Sequence, residues 1–520
     1  MVKDMRNSIK YSLFVALLAV SFSCADYAEL EKNPNRPAEV PASLILRGVL
    51  AEIYEAPWDD NTYWNQYWLV NYNYYGTNEY WTTAGLRFTT LKNIGKMEEA
   101  AAPLGEVNAY SAMGHFLKAY FYFQMTRRVG DLPLDEAVLG LENSKPKYAT
   151  QKQIYIYILN ELEAANSEMK TLTEANDQAL AGDIYFGNDL SKWRRATNSF
   201  KLRVLVSLSK KASDPDLGVP AKFSAVVSNP SQYPVMESNG DNMNYVYNGS
   251  TQIYPTNPGN RGFDKGRYNM GETFVKGLTD LNDPRIFVVS NPAKALVKPI
   301  GTLEADDFNA YKGAPAGLSL GDMAPNAALG LYSYSNQKRY YTSLTGPEPA
   351  VQMAYWETCF NIAEGINRGW AAGNAATYYL NGIKASMAFF GITDGANLTI
   401  TEQDGDQPLK TVSASVTNYL AQPAVAYKGN NADGLTQILN QKYLAYFNNC
   451  GLEAYFNFRR TGTPAFNQGP GTGNSNVIPR RWLYPNSEAF YNTDNYKAAL
   501  QAQFGSPVDD VDNELWEVKN

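Results

Sequence analysis

Histidine, cysteine and long apolar runs are what this 520-residue chain has least of. One His and three Cys leave no His/Cys cluster of the kind that holds zinc. Cys24, Cys359 and Cys450 lie far apart in the sequence, so no disulfide framework is built in and the fold must be held by its core. Basic charge is also in short supply: 45 Lys and Arg face 52 Asp and Glu, a net charge of −7. No basic block occurs, which removes the electrostatic footprint of a nucleic-acid binder and disfavours adsorption to anionic lipid. The longest apolar run, Tyr11 to Phe22, covers 12 residues, whereas a bilayer span needs roughly 20.

That run suits the apolar centre of a signal peptide. Lys3, Arg6 and Lys10 precede it, and Ser21-Phe22-Ser23-Cys24 closes it with small residues around a cysteine. Ser21 stands where a lipoprotein signal usually carries Leu. Small Ser23 before Cys24, and the polar stretch Ala25 to Glu29 after it, nevertheless read as a lipoprotein signal. The expectation is a signal peptide at 1–23, lipidation of Cys24, and a tether from 24 to 41. Lipidation turns an exported protein into an anchored one, each buried acyl methylene contributing about 0.8 kcal/mol. Losing 1–23 removes three Lys/Arg and one Asp, so the mature chain is more acidic still.

What the chain has in abundance is tyrosine. It carries 37 Tyr and 9 Trp but only 22 Phe, the reverse of what core-building alone favours. Tyr and Trp join an apolar face to a polar edge, which suits half-wet binding surfaces. From Tyr54 to Trp81, eleven of 28 residues are Tyr or Trp, interleaved with Asn61, Asn65, Gln66, Asn71, Asn73 and Asn78. Sugar rings offer a weakly apolar C–H face and a hydroxyl rim, and this mixture can stack on one and hydrogen-bond the other. The competing reading is that these aromatics pack against the scaffold or against a partner protein. The Gly-containing polar end of the segment is the expected exposed part, which places candidate ligand contacts at Tyr75, Asn78, Tyr80 and Trp81. A second candidate surface holds Tyr247, Asn248 and Tyr254, with Arg267 and Tyr268 nearby. A third runs from Tyr332 to Tyr341 and contributes Tyr334.

Apolar residues at three- and four-residue spacings predict helices at 106–128, 151–169, 191–211, 353–366, 375–390, 435–447 and 453–459. The first ends at Gly130-Asp131-Leu132-Pro133, a stop-and-turn signal. Adjacent pairs with small-residue seams have the texture of tetratricopeptide-like units; an irregular helical bundle is the plainer alternative. The fold class expected is mainly α, with little β-structure and one domain over 42–520. Its scaffold covers about 42–211, 351–392 and 435–460. Regions 212–350, 393–434 and 462–487 are rich in Gly, Pro, Asn and Ser and read as long loops that carry a binding face.

Motifs for chemistry are weak. Gly317-Leu318-Ser319-Leu320-Gly321 fits the pattern of a nucleophile elbow, but no apolar strand precedes it and the only histidine, His115, comes about 200 residues earlier. His115 reads as a satisfied helix residue. Asp404-Gly405-Asp406 lacks the other ligands of a calcium loop, so structural calcium there has no support. The Gly-rich run 469–474 has no following Lys-Ser/Thr and is no phosphate loop. The expectation is a non-catalytic protein without cofactor or metal.

Ordered motifs along the chain resemble the SusD/RagB nutrient-binding lipoproteins of Bacteroidota outer membranes, in their SusD-like branch. Leu30-Glu31-Lys32-Asn33-Pro34-Asn35 resembles their leader. Ala119 to Phe123 followed by Gly130-Asp131-Leu132-Pro133 is similar to a helix and turn of theirs. Asp183 to Gly187 with Trp193 to Arg203, Asp283-Pro284-Arg285 and Tyr311-Lys312-Gly313 fit as well. The most specific stretch is Ile438 to Tyr443, then Glu453 to Pro464, then Pro479-Arg480-Arg481 to Tyr484-Pro485. Thr197 and Phe456 depart from residues usual there, Ala and Trp. The resemblance implies a tetratricopeptide-like scaffold bearing a loop-rich face, anchored in the outer membrane and facing the exterior. It also implies capture of a nutrient, usually a glycan, for a TonB-dependent SusC-type transporter. Alternatives within it are a transporter-associated lid subunit with weak ligand binding, or a binder of peptides or another nutrient. Arg459-Arg460 and Asp283-Arg285 read as internal ion-pair and capping positions, so no ligand residue carries over from these motifs.

Overall fold

The structure, a computed structural model, describes residues 40–264 and 266–520. The expected signal peptide, Cys24 and nearly all of the tether lie outside the described residues. Helices begin where side chains satisfy the free amides of a first turn. Asn108 accepts from the amides of Tyr110 and Ser111 to start α3 (Ala109–Val129), Thr150 caps α4 (Gln151–Glu174), and Asp189 caps α5 (Leu190–Ser207). Before them come α1 (Ala42–Ala51) and α2 (Phe88–Ala101). α1 packs on α2, α2 on α3, α3 on α4 and α4 on α5, each on its chain neighbour. This is the sequential helix-pair array of a tetratricopeptide-like scaffold.

Between α5 and the next long pair lie α6 (Val219–Ser228), α7 (Glu272–Thr279) and α8 (Leu320–Ala328). α9 (Tyr355–Asn367) and α10 (Ala375–Phe389) then pack together, with α11 (Ala432–Ala445) on both; α12 (Glu453–Thr461) follows. α9 also contacts α5, which joins the two helical sets. In the α9–α10 seam a Cβ on Gly382 would lie 2.8 Å from the Phe360 ring, so only glycine permits this approach. β-Structure is sparse: β1 (Trp68–Val70), β2 (Met243–Tyr245), β3 (Tyr268–Met270), β4 (Ala350–Met353), β5 (Asn397–Thr401) and β6 (Pro408–Ser413) form antiparallel pairs β1–β3, β2–β4 and β5–β6, and the two-residue segments Leu132–Pro133 and Tyr148–Ala149 make a fourth. Among its described residues, region 212–350, read from the sequence as loop, holds six α-helices, three of them eight residues or longer, and two strands. These elements are short and their apolar faces narrow, so Gly and Pro dominate the composition that surrounds them.

The aromatic core of the array is built by α3 and α5. Phe200 meets Phe116, Tyr120 and Phe123 at centroid separations of 5.8, 5.4 and 5.2 Å, pairs that contribute about 0.5–1.5 kcal/mol each beyond their burial. Buried charge fastens α12 to the rest. Glu453 accepts from Arg127 at 3.0 and 2.7 Å and lies 3.5 Å from Arg203, which itself holds Glu357. The Arg127 guanidinium is sandwiched between Phe123 and Phe456 at 3.8 and 3.9 Å. Arg460 binds Glu364, Arg459 binds Glu517, and Asp283 both pairs with Arg285 and accepts its backbone N–H. The recurring Arg and Asp motifs are thus scaffold.

His115 cross-links α3 to α4. Its Nδ1 lies 2.9 Å from Glu161 and its Nε2 3.4 Å from Glu168. Hydrogen bonds to Glu161 and Glu168 raise its pKa to about 9, against a smaller opposing effect of burial. A raised folded pKa means the contribution is fully present below the unfolded value of about 6.5 and fades as pH rises through 9. The ring is partly solvated, which screens the effect to ~1 kcal/mol. His115→Gln should therefore lose about that much stability at pH 6 and nothing at pH 10, read from denaturant midpoints; a pH-independent difference would contradict the assignment.

Candidate functional site

The loop between β1 and Glu79 projects a large aromatic surface. Antiparallel pairing sets Leu69 opposite Asn269 and Val70 opposite Tyr268, and the Asn71 amide continues the ladder to the Arg267 carbonyl at 3.0 Å. The chain then leaves the sheet. Its return is fixed by Asn78, whose side-chain Oδ1 accepts from the Val70 N–H and whose Nδ2 donates to the Val70 carbonyl, both at 2.8 Å. One side chain thus imitates a strand neighbour and closes the neck of the loop. Gly76, at φ 141°, makes the reversal in backbone space closed to other residues.

Inside this clamp the loop stands out from the body. Tyr72, Tyr74 and Tyr75 are 49%, 81% and 38% exposed, unusual for three neighbouring rings. Tyr75 meets both others edge to face, at 5.8 and 5.7 Å. The Arg267 guanidinium lies 4.8 Å from the Tyr75 ring and 3.6 Å from the Asp264 carboxylate. Burial pushes the Asp264 carboxyl above its ordinary value, with Arg267 opposing.

Beside the loop runs a groove of about 500 Å³. Asn71, Tyr72, Asn73, Tyr75 and Gly266 form one side. The other is α8, which presents Leu320, Gly321, Ala324, Pro325 and Ala328, small side chains that leave a shallow floor, with Tyr334 at its edge. α8 is held by a separate small core in which Met323 and Ala327 pack with Ala314, Ala316, Tyr332 and Leu69 of β1. Loop and helix are therefore both referenced to β1.

Asp264 and Tyr268 line a second hollow, about 200 Å³. Trp58, Trp68, Tyr268 and Tyr341 supply aromatic walls, while Thr256, Asp264, Asn269 and Ser335 supply polar ones. Trp58 is held at φ 65°, a rare conformation for a bulky residue, with its indole N–H donating to the Tyr254 hydroxyl at 3.1 Å.

Of the residues singled out from the sequence, Tyr75, Arg267 and Tyr334 come together at the groove, and Tyr268 lines the neighbouring hollow. The exposure expected of Tyr80 and Trp81 does not hold. Trp81 stacks on Trp482 at 3.7 Å and 7°, and its indole donates to the Arg481 carbonyl. Tyr80 donates to the Trp64 carbonyl at 2.8 Å. Both are core, because the Asn78 clamp returns the chain to the body just before them. Asn78 is likewise buried and fully used in that clamp. Tyr247 and Tyr254 are buried in an aromatic cluster with Tyr54 and Trp58. Asn248 is exposed, but its Oδ1 accepts from the amides of Ser250, Thr251 and Gln252, a turn-forming role. Tyr72 and Asn73 were within reach of the sequence, standing in the Tyr/Asn-rich segment. α8 was not, because small residues carry no binding signature.

The elements of the enzyme and calcium readings have other employment. Ser319 caps α8, accepting from the Asp322 amide and donating to its carboxylate at 2.6 Å. Asp404 is ion-paired with Lys294, and Asp406 with Arg261 at 2.9 and 2.6 Å. Among the described residues no group of three or more His, Cys, Asp or Glu is placed to hold a metal, and no helix is long and apolar enough to cross a membrane.

The comparisons agree with this architecture. A family model described as SusD-like, "starch-binding associating with outer membrane", matches residues 34–485. A SusD homolog from Bacteroides fragilis is 32% identical, with a TM-score of 0.80 over 92% of this chain and 100% of its own. A second SusD homolog from Bacteroides fragilis is 27% identical, with a TM-score of 0.77 over 93% of this chain and 100% of its own. A chitin-binding SusD homolog from Flavobacterium johnsoniae shares the fold at 19% identity and a TM-score of 0.66, over 91% of this chain and 99% of its own. No curated protein matches the sequence. With a family model covering most of the chain and a relative of this identity aligned end to end, the protein belongs to the SusD-like family.

Proposed function

We propose that this protein is a non-catalytic, cell-surface lipoprotein, anchored through Cys24, that captures a glycan or oligosaccharide and passes it to a TonB-dependent SusC-type transporter. The observation that carries the reading is the fan of exposed tyrosines, Tyr72, Tyr74 and Tyr75, on a clamped loop beside an open groove. Exposed large aromatics mark interaction sites. About 500 Å³ falls within the ~300–1,000 Å³ usual for sites that enclose small ligands, enough for a few sugar residues. Tyr75 and Tyr72 give stacking faces, Asn73 gives an amide for hydroxyls, and Arg267 braces Tyr75 from one side. A floor of Gly, Ala and Pro contributes shape without charge, which suits a neutral ligand. The family description joins starch binding to the outer membrane, and one relative is a chitin-binding protein. The lining of Asn, Tyr, Leu, Gly, Ala and Pro supports a ligand that is held and released unchanged. The tether from 24 to 41 lets the body sit over a transporter rather than in the lipid.

The test is calorimetric titration of the exported chain with malto-oligosaccharides, chito-oligosaccharides and plant and host glycans, with reducing ends assayed in parallel. Binding of at least one glycan without release of reducing ends is expected. Turnover would revive an enzymatic role. Absence of binding across the panel, with retained co-purification with the transporter, would favour a lid subunit with little ligand affinity.

A further inference from the structure

The hollow lined by Asp264 and Tyr268 holds polar side chains that the fold itself does not use. Asn269 is 1% exposed and both atoms of its amide lack a partner; Thr256 is 5% exposed and its hydroxyl lacks one. Both line the hollow. Leaving a buried polar group unpaired costs about 1–3 kcal/mol, and native structures seldom do so without a reason. Asn260, by contrast, is fully employed: its amide donates to the Pro255 carbonyl at 2.7 Å and accepts from the Asn257 N–H at 2.9 Å.

The surroundings restrict what can fill the space. Asp264 is the charged group in the wall and has Arg267 at 3.6 Å, so the hollow favours a neutral occupant. About 200 Å³ is below the ~300–1,000 Å³ that encloses drug-sized ligands and matches a single small ring. Trp58, Trp68, Tyr268 and Tyr341 supply aromatic surface beside the polar groups, the mixture a sugar ring needs. A primary amide sets one donor beside one acceptor. A neutral group that answers both at once, and that the glycan reading supplies, is a pair of neighbouring hydroxyls, one donating to Oδ1 and the other accepting from Nδ2. We infer that this hollow is a second carbohydrate site, distinct from the groove, which takes one sugar ring by its vicinal hydroxyls through Asn269 and Thr256 and covers its C–H face with Trp68 and Tyr268. The inference rests on the glycan-capture reading and adds to it a pocket that reads a single residue.

Saturation-transfer NMR on the full exported chain with free glucose, galactose, mannose and N-acetylglucosamine at tens of millimolar tests it. At least one of these should bind. Thr256→Val, which preserves shape, should weaken that binding roughly three- to tenfold, the loss of one net hydrogen bond. Asn269→Ala should abolish it, and Thr256→Val carries the test if Asn269→Ala does not fold. Tyr72→Ala/Tyr75→Ala should leave monosaccharide binding intact while oligosaccharide binding weakens by roughly one to two orders of magnitude. If oligosaccharides bind but no monosaccharide does, or if the two hollow variants bind as the wild type, the second site is refuted and the groove stands. If a monosaccharide binds and no oligosaccharide does, the groove reading fails and the hollow survives.

Discussion

Replacing Tyr72 and Tyr75 together by alanine should weaken oligosaccharide binding by roughly one to two orders of magnitude while leaving the melting temperature where it was. The size follows from aromatic faces worth about 0.5–1.5 kcal/mol each, where 1.4 kcal/mol is tenfold in affinity. The lack of a stability effect follows from exposure. Tyr72 is half exposed and Tyr75 more than a third, and the neck of their loop is closed by Asn78 and Val70, not by the rings. Surface substitutions away from such clamps stay within about 0.5 kcal/mol. Trp81→Ala makes the informative contrast. That ring is buried against Trp482, Tyr455 and Trp64, so its loss should destabilise the whole protein by about 3–5 kcal/mol and reduce binding only through unfolding. A double alanine variant at Tyr72 and Tyr75 that binds normally would remove the groove from the account.

An effect on stability as large as that of Trp81→Ala is expected at Glu453. Burial pushes this carboxyl up, but the guanidiniums of Arg127 and Arg203 more than offset it and hold it at about 2. Glu453→Ala would strand Arg127, 1% exposed, between Phe123 and Phe456 without its counter-charge. Breaking a buried pair in this way costs about 3–5 kcal/mol. Arg203 retains Glu357 at 2.6 Å, so the damage should centre on Arg127 and on the seating of α12 against α3. Replacing Arg127 and Glu453 together by apolar residues of similar volume should recover most of the loss, because both desolvation costs then disappear. Chemical denaturation of the three proteins separates these outcomes. Because its folded pKa is depressed, Glu453 contributes stability that is present above its unfolded value of about 4.5 and lost as pH falls through 2. A variant as stable as the wild type at neutral pH would show that the cluster is not what fastens α12.

The long helices were legible because each buries a stripe wide enough to leave a period. Ile154, Ile158, Leu162, Ala165 and Met169 of α4 are buried in that order along one face. α1 and α2 were not singled out, since each buries only a handful of residues over a short length. The site was legible in composition but not in position. Tyr75 and Trp81 stand six residues apart in the same Tyr- and Asn-rich segment, and nothing in their types separates them. What separates them is the fold of Asn78 onto Val70, which sends one ring out and the other in. The same holds for Tyr247 and Tyr254, whose polar neighbours suggested exposure although Trp58 and Tyr54 cover them. The floor of the groove was invisible because α8 contributes shape through small residues, and shape appears only when loop and helix are both set against β1.

The central claim is that the Tyr72–Tyr75 groove is where glycan is held. The most direct measurement is a crystal structure of the protein soaked with an oligosaccharide that binds it in solution. The account predicts sugar density along the groove, with rings lying on Tyr72 and Tyr75 and hydroxyls within hydrogen-bond reach of Asn73. Density confined to any other surface, with the three tyrosines bare, would contradict it.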